Sequence, residues 1–167
     1  MSKFDTYFLM TTEDAVEYAK LKVPQMDWDA ESMECKEIGD GNLNYVFKVT
    51  DGRNHSVIIK QAGGVARISE DMKLDTDRNR IESEILVLQG KLAPGYVPEI
   101  YFYDTVMSAC GMQDLSDHEI MRTAMLEHKI FPEICRSDFY FYGSGSDGNY
   151  RCGDGSSGKE RFTEEVY

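Results

Sequence analysis

Apolar and polar residues alternate over a short stretch in the first third of the chain. Residues 43–48 place Leu, Tyr and Phe on one face of an extended strand and Asn, Val and Lys on the other. Asp51-Gly52 then marks a tight turn, and the β-branched run 57–59 ends at Lys60. This pattern predicts a β-hairpin, and a strand candidate at 33–38 adds a third antiparallel strand before it.

Two more strand candidates lie in the second half of the chain, at 97–104 and 106–112, with Asp104-Thr105 as the turn between them. Between the two groups of strands, residues 63–73 are mostly polar and open with two glycines, which predicts a loop. The sequence therefore predicts five mostly antiparallel strands.

Two segments show clear signs of helix formation before the last pair of strands. Thr12-Glu13-Asp14-Ala15 opens a helix with a capping residue and early acidic residues, and this helix runs to about Lys20 or Lys22. A second helix begins at Asp75 or Thr76 and ends before Pro94. It carries an apolar stripe at helical spacing, made of Ile81, Ile85, Leu88 and Leu92. Helical periodicity alone does not choose between the two acids that flank this stripe, Glu82 and Glu84.

A capping box predicts a third helix over about residues 117–128, in which Ser116 is the cap and Glu119 reaches back to it. The order of elements is then helix, three strands, helix, two strands, helix. This order predicts an α+β fold in which helices pack on a mostly antiparallel sheet.

A glycine-punctuated turn, residues 39–42, comes directly before the predicted hairpin, and Lys60 ends its second strand. Backbone N–H groups freed by Gly39 and Gly41, together with one ammonium group, are what the phosphates of a nucleotide need. Each feature also has a purely structural interpretation, because two glycines can serve a turn and Lys60 can be an ordinary strand-end lysine. At this level both interpretations stay open.

The charge balance restricts the partners. The chain of 167 residues has a formal net charge of −12, which argues against nucleic acid and anionic membranes, because both select for clustered Lys and Arg. No run approaches the roughly 18 apolar residues of a membrane span, and residues 1–10 lack the features of a signal peptide. The four cysteines show no CxxC spacing, so we expect reduced thiols in a cytoplasmic protein without a zinc site.

Four motifs, in order along the chain, resemble the S-methyl-5-thioribose kinase family of methionine salvage. They are Gly39-Asp40-Gly41-Asn42-Leu43-Asn44-Tyr45-Val46-Phe47, Val57-Ile58-Ile59-Lys60-Gln61-Ala62, Asp77-Arg78-Asn79-Arg80-Ile81-Glu82-Ser83 and Asp114-Leu115-Ser116. The resemblance covers residues 1–133. It implies a protein-kinase-like N-terminal lobe that binds ATP, with a five-stranded, mostly antiparallel sheet and an αC-type helix.

The resemblance also implies roles for individual residues around the phosphates. Lys60 matches the lysine that holds the α- and β-phosphates of ATP, and Glu82 matches the helix glutamate that fixes this lysine. Gly39, Gly41 and Asn44 match the phosphate-loop positions, where Asn44 stands in place of the usual third glycine.

At the other end of the nucleotide, Gln113, Asp114 and Leu115 match the hinge whose backbone binds adenine. The family commonly has Glu where this chain has Gln113. A contact made by the backbone would survive that change.

The chain contains no His-Gly-Asp-Leu-His motif and no Asp-Pro-Glu motif, which in the family supply the catalytic base and the Mg²⁺ ligands. The resemblance implies that these groups, and the sugar pocket, belong to a C-terminal lobe that this chain lacks. We therefore predict no catalytic and no metal-binding residue in this chain, and no kinase activity for it alone. The complete enzyme would use ATP and Mg²⁺ and form a homodimer.

Residues 134–167 depart from the family pattern. Six of the 14 glycines follow Tyr142, and the scarcity of aliphatic residues predicts that 136–158 is disordered or loosely packed. Codons for a family-like continuation, read out of frame, yield the sequences found at 135–142 and 150–157. We therefore hypothesise that residues 135 to about 158 are frameshifted translation, whether real or a sequencing error.

Two alternatives to the nucleotide-binding lobe of a kinase stay open. One is a non-catalytic module that binds a nucleotide weakly or docks on another subunit. The other is a decayed product without a function.

Overall fold

The computed structural model describes residues 2–38, 43–66, 69–73 and 75–130, without the side chains of 65–66 and 69–73. The predictions for Gly39 and Gly41, and those for residues 134–167, lie outside the described residues.

Three α-helices and seven strands form the described part of the chain. The helices are α1 (Thr12–Lys22), α2 (Arg78–Leu92) and α3 (Met121–Leu126). The strands are β1 (Glu34–Glu37), β2 (Asn44–Thr50), β3 (Ser56–Ala62), β4 (Val65–Ala66), β5 (Ser69–Lys73), β6 (Ile100–Asp104) and β7 (Ala109–Gln113). Short 3-10 turns lie at Lys3–Asp5 and Pro24–Met26.

Five of the strands form one sheet in the order β1-β2-β3-β7-β6, and every neighbouring pair is antiparallel. This confirms the predicted α+β fold with a five-stranded antiparallel sheet. The predicted loop at 63–73 was wrong, because β4 and β5 form a separate two-stranded ribbon there. Backbone hydrogen bonds define such a ribbon, and the mostly polar side chains of this segment give no sign of them.

Helix α1 contacts β1, β2 and β3, and the buried core includes residues of this helix and of the sheet. The helix begins at a capping box, in which Thr11 Oγ1 accepts from the N–H of Asp14 at 3.3 Å and Asp14 Oδ2 accepts from the N–H of Thr11 at 2.9 Å. Large side chains of this core are Phe4, Tyr18, Val23, Phe47, Val49, Val57, Ile59 and Met107. The alternation predicted for the hairpin thus places Phe47 and Ile59 in the core.

A polar contact also ties α1 to β6. Tyr18 Oη donates to Asp104 Oδ2 at 2.8 Å, and Lys22 Nζ lies 2.6 Å from the same oxygen. Burial by itself would raise the pKa of Asp104, but the hydrogen bonds from Lys22 and Tyr18 lower that pKa below its ordinary value. Asp104 is therefore a carboxylate anchored at the edge of the sheet.

The apolar stripe of α2 does not form its buried side. Ile81, Ile85 and Leu88 are 48%, 49% and 56% exposed, whereas Asn79 and Ser83 are the buried residues of the helix. A stripe of this kind usually faces a core. Here the buried positions are polar: Asn79 donates to the backbone carbonyls of Lys60 and Ser108, and Ser83 donates to the carbonyl of Asn79.

The third helix is shorter than predicted and begins later. Helix α3 follows Ile120, which makes no side-chain capping bond, so the predicted capping box was wrong. The carboxylate of Glu119 instead accepts from Lys129 Nζ at 2.5 Å. The Glu119 carboxylate that a capping box would use is thus in an ion pair with Lys129.

The chain divides into two compact units. The first comprises Met1–Leu88 and Pro98–Leu115, and the described part of the second comprises Gln89–Val97 and 116–130. The domain boundary at residue 133 stays a prediction. Within the described ranges, no helix has both the length and the apolar character needed to cross a bilayer.

Candidate nucleotide-binding site

Lys60 and Glu82 form a close ion pair between β3 and α2. Lys60 Nζ lies 2.5 Å from Glu82 Oε1 and 2.7 Å from Oε2, so both carboxylate oxygens accept from one ammonium group. The side chains are 22% and 42% exposed. Ion pairs with this degree of exposure contribute little to stability. The main consequence is a positively charged group held in a fixed place, with one side open to solvent.

The register of the sheet decides which way Lys60 points. Lys60 is paired with Val46 on one side and with Cys110 on the other. Because side chains alternate along a strand, its neighbours Ile59 and Gln61 point to the opposite face and are fully buried. Lys60 therefore lies on the face away from the hydrophobic core.

Asn79 fixes α2 against this part of β3. Its Nδ2 donates to the carbonyl of Lys60 at 2.9 Å and to that of Ser108 at 3.0 Å, and the side chain is fully buried. Ser83 Oγ donates to the carbonyl of Asn79 at 2.8 Å. Glu82 follows Asn79 by three residues, so it lies on a neighbouring part of the helix surface. The Asn79 contact thus brings the Glu82 carboxylate to the Lys60 ammonium.

The other acid near the stripe of α2 points elsewhere. Glu84 Oε1 accepts from Arg80 Nη1 at 2.7 Å on the exposed surface of the helix. Asp77 also binds Arg80, with both of its oxygens 2.6 Å from guanidinium nitrogens. The structure therefore resolves the choice that periodicity left open, in favour of Glu82.

An apolar surface extends from Lys60 along the same face of the sheet. Ile58 is paired with Met112, and Val46 is paired with Lys60, so all three apolar side chains share the face of the lysine. They are half-buried. This surface leads to the end of β7, where the chain leaves the sheet after Gln113. Its mixture of apolar side chains and one terminal ammonium suits an aromatic base joined to phosphates.

The predicted hinge residues lie at that end of the face. The N–H of Gln113 donates to the carbonyl of Glu99 at 2.8 Å, and its Oε1 accepts from the N–H of Glu99 at 3.2 Å. Asp114 is nearly buried, with a 7% exposed side chain, and binds Lys48 Nζ at 2.7 Å. Leu115 is partly exposed. The side chain of Gln113 thus ties the end of β7 to the residue before β6, and that of Asp114 ties the residue after β7 to β2, which is not its neighbour in the sheet.

Asn44 is engaged at the start of β2. It is 9% exposed, and its Oδ1 accepts from Arg78 Nη2 at 2.9 Å. No role was predicted for Arg78 or Asn79, although both lie in the third of the four family-like motifs. Asn79 is the second residue of α2, where asparagine is not unusual, so its residue type gave no signal of this contact.

Cys110 lies beside the ion pair on the same face. Burial raises the pKa of its thiol, so the group is a neutral packing element and no nucleophile. Within the described ranges, no three His, Cys, Asp or Glu side chains are grouped so that they could hold a metal ion.

Together, these features define a class of protein. A five-stranded antiparallel sheet, with the lysine of its third strand fixed by a glutamate of the adjacent helix, is the arrangement of a kinase-like N-terminal lobe.

Comparison with known proteins finds that the chain is similar to curated methylthioribose kinases. A methylthioribose kinase of Bacillus velezensis is 46% identical over 105 residues, which are 62% of this chain and 27% of the relative. That of Yersinia enterocolitica is 38% identical over 135 residues, 80% of this chain and 33% of the relative. That of an Enterobacter species is 36% identical over 157 residues, 85% of this chain and 38% of the relative. No family model matches the chain.

The resemblance to the methylthioribose kinase family is thus confirmed. The chain spans between about a quarter and two-fifths of the length of these relatives.

Proposed function

We propose that this chain is the ATP-binding lobe of an S-methyl-5-thioribose kinase. The observation that carries the proposal is the ion pair between Lys60 Nζ and Glu82, at 2.5 and 2.7 Å. It lies at one end of an apolar face whose other end is the strand terminus at Gln113. The similarity to curated methylthioribose kinases supports the choice of substrate.

In this proposal the Lys60 ammonium binds the α- and β-phosphates of ATP. Glu82 accepts hydrogen bonds from that ammonium on the helix side and so keeps it in position before the nucleotide binds. A lysine on four flexible bonds would otherwise lose rotamer freedom on binding, which costs affinity. Gly39, Gly41 and Asn44 would contribute to the phosphate site, as their match to the phosphate-loop positions of the family implies.

Adenine would lie on the face formed by Val46, Ile58 and Met112. Because the N–H of Gln113 already donates to Glu99, a backbone contact from Gln113 to the base would use its carbonyl. The side chain of Asp114 is held by Lys48, so Asp114 and Leu115 would contribute backbone groups at the hinge.

The complete enzyme would transfer the γ-phosphoryl group of ATP to the 1-hydroxyl of the sugar, in methionine salvage in the cytoplasm. Mg²⁺ would neutralise charge on the phosphates during transfer. The base, the metal ligands and the sugar pocket would belong to the part of the family's length that this chain does not span. We therefore expect no phosphorylation of methylthioribose by this chain alone. The homodimer expected for the full-length enzyme stays a prediction.

Titration calorimetry with ATP tests the nucleotide site. We expect the wild-type chain to bind ATP and Lys60→Met to bind at least about tenfold more weakly, because one charge-assisted contact to phosphate is lost. Lys20→Met is the matched control, since Lys20 is an exposed lysine on α1, and its affinity should equal that of the wild type. Glu82→Gln, which keeps the size and removes the charge, should also weaken binding.

Two results would contradict the proposal. One is a wild-type chain that binds no ATP, which favours the docking module or the decayed product. The other is equal affinity for ATP in the wild type and in Lys60→Met, which places the nucleotide elsewhere.

A further inference from the structure

One arginine at the start of α2 joins three separate segments of the chain. Nη1 of Arg78 donates to the carbonyl of Asp75 at 2.5 Å. Its Nη2 donates to the carbonyl of Leu43 at 2.8 Å, to Asn44 Oδ1 at 2.9 Å and to the carbonyl of Gly63 at 3.2 Å. These acceptors belong to the loop before α2, the start of β2 and the residue that follows β3.

These acceptors lie close in sequence to residues of the candidate site. Leu43 and Asn44 directly follow the predicted glycine turn, and Gly63 lies three residues after Lys60. Arg78 lies four residues before Glu82, so both side chains emerge from the same side of one rigid helix. A single guanidinium therefore links the residues after the turn to the helix that carries Glu82.

The chemistry of these contacts indicates that Arg78 aligns chain segments with one another. All four acceptors are uncharged oxygens, so none of these bonds neutralises the guanidinium. A planar guanidinium presents several N–H groups in a fixed fork and can meet acceptors from several directions at once. Lysine carries the same charge but lacks that fork.

We propose that Arg78 is a positioning residue that fixes the start of β2, including Asn44, relative to the Lys60–Glu82 pair of the proposed phosphate site. This inference rests on the proposed function. Without Arg78, the start of β2 and the residues around Gly63 lose a shared anchor, and ATP binding must then supply the cost of ordering them.

The first test needs no nucleotide. Amide hydrogen exchange is measured in the wild type, Arg78→Gln, Arg78→Lys and the control Arg80→Gln. Arg80 also lies in the first turn of α2 but binds only Asp77 and Glu84 among its described contacts. We expect at least about tenfold faster exchange at residues 43–46 and 63–64 in both Arg78 variants, because local opening there becomes easier. Exchange in β6 and β7 should not change, and Arg80→Gln should match the wild type.

The second test measures the affinity for ATP of the same variants by titration calorimetry. Arg78→Gln and Arg78→Lys should both bind ATP about tenfold more weakly than the wild type, since a misplaced contact costs affinity as a lost one does. If the positive charge alone mattered, Arg78→Lys would restore the affinity. If Arg78 acts through Asn44, the effects of Arg78→Gln and Asn44→Ala are not additive.

The outcomes separate the two proposals. Unchanged exchange in Arg78→Gln, or unchanged ATP affinity in Arg78→Gln while Lys60→Met loses affinity, overturns the role of Arg78. Full affinity in Arg78→Lys overturns the geometric argument, and additive effects with Asn44→Ala overturn the path through Asn44. A wild-type chain that binds no ATP overturns the proposed function, and the exchange measurement then decides by itself whether Arg78 aligns the two segments.

Discussion

Gln61 offers a sharp test of how the first compact unit is held together, because its side chain is fully buried and makes three hydrogen bonds to backbone groups. Its Oε1 accepts from the N–H of Met10 at 3.0 Å. Its Nε2 donates to the carbonyl of Phe8 at 2.8 Å and to that of Met107 at 3.0 Å. The residue thus ties the segment before α1 and the turn between β6 and β7 to the end of β3.

The substitution Gln61→Leu keeps a similar volume and removes all three bonds. The N–H of Met10 and the carbonyl of Met107 are then left without partners in buried surroundings, and the carbonyl of Phe8 is left in a partly buried one. Each orphaned buried group costs about 1–3 kcal/mol, and the added apolar contact of Leu offsets part of this. We expect a loss of about 3 kcal/mol, which is a large fraction of the roughly 5–15 kcal/mol that stabilises a typical domain.

The free energy of unfolding is measured by urea titration, followed by circular dichroism and by the fluorescence of Trp28. This residue packs against the core and donates from Nε1 to the carbonyl of Val23 at 2.9 Å. Gln25→Leu is the control, because Gln25 is exposed, and it should change stability by less than about 0.5 kcal/mol. A difference in the free energy of unfolding of less than about 1 kcal/mol between the wild type and Gln61→Leu would refute the reasoning, since two buried groups without partners should destabilise the fold by more than that.

Two further predictions concern the turn after β2 and the contact between β6 and β7. Burial would raise the pKa of Asp51, but hydrogen bonds from backbone N–H groups and from His55 hold that pKa well below its ordinary value. The stabilising contribution of Asp51 is therefore present above an unfolded pKa of about 4 and lost as the pH falls below it. The urea midpoint should fall on acidification, and parallel pH profiles for the wild type and Asp51→Asn would count against this account. Gly111→Ala places a Cβ atom against the ring of Phe102 and should cost about 1–3 kcal/mol of stability in thermal unfolding. Gly64→Ala, which meets nothing within 4 Å, is its control, and equal melting temperatures for the two variants would show that the ring moves aside freely.

Short-range patterns predicted the sheet well. The hairpin that ends at Lys60, the strand before it and the two later strands all appear in one antiparallel sheet. Alternation determines which side chains share a face, and in the structure Lys60 lies opposite the buried Ile59 and Gln61. Two local predictions failed. The ribbon of β4 and β5 is held by backbone bonds, and Glu119 is engaged by Lys129 at 2.5 Å instead of capping a helix.

The sequence by itself determined the five strands of the main sheet, the first helix, and the residue types available for a phosphate site, because each depends on neighbours within a few positions. Only the tertiary structure decided that Glu82, and not Glu84, reaches Lys60. That choice depends on the buried Asn79, which fixes the rotation of α2 through carbonyls far away in the sequence. The contacts of Arg78 are also decided by the tertiary structure, because its partners lie up to 35 residues away. The exposure of the α2 stripe is a third case. Helical spacing shows that apolar residues share a face of the helix, but it does not show which face packs against the sheet.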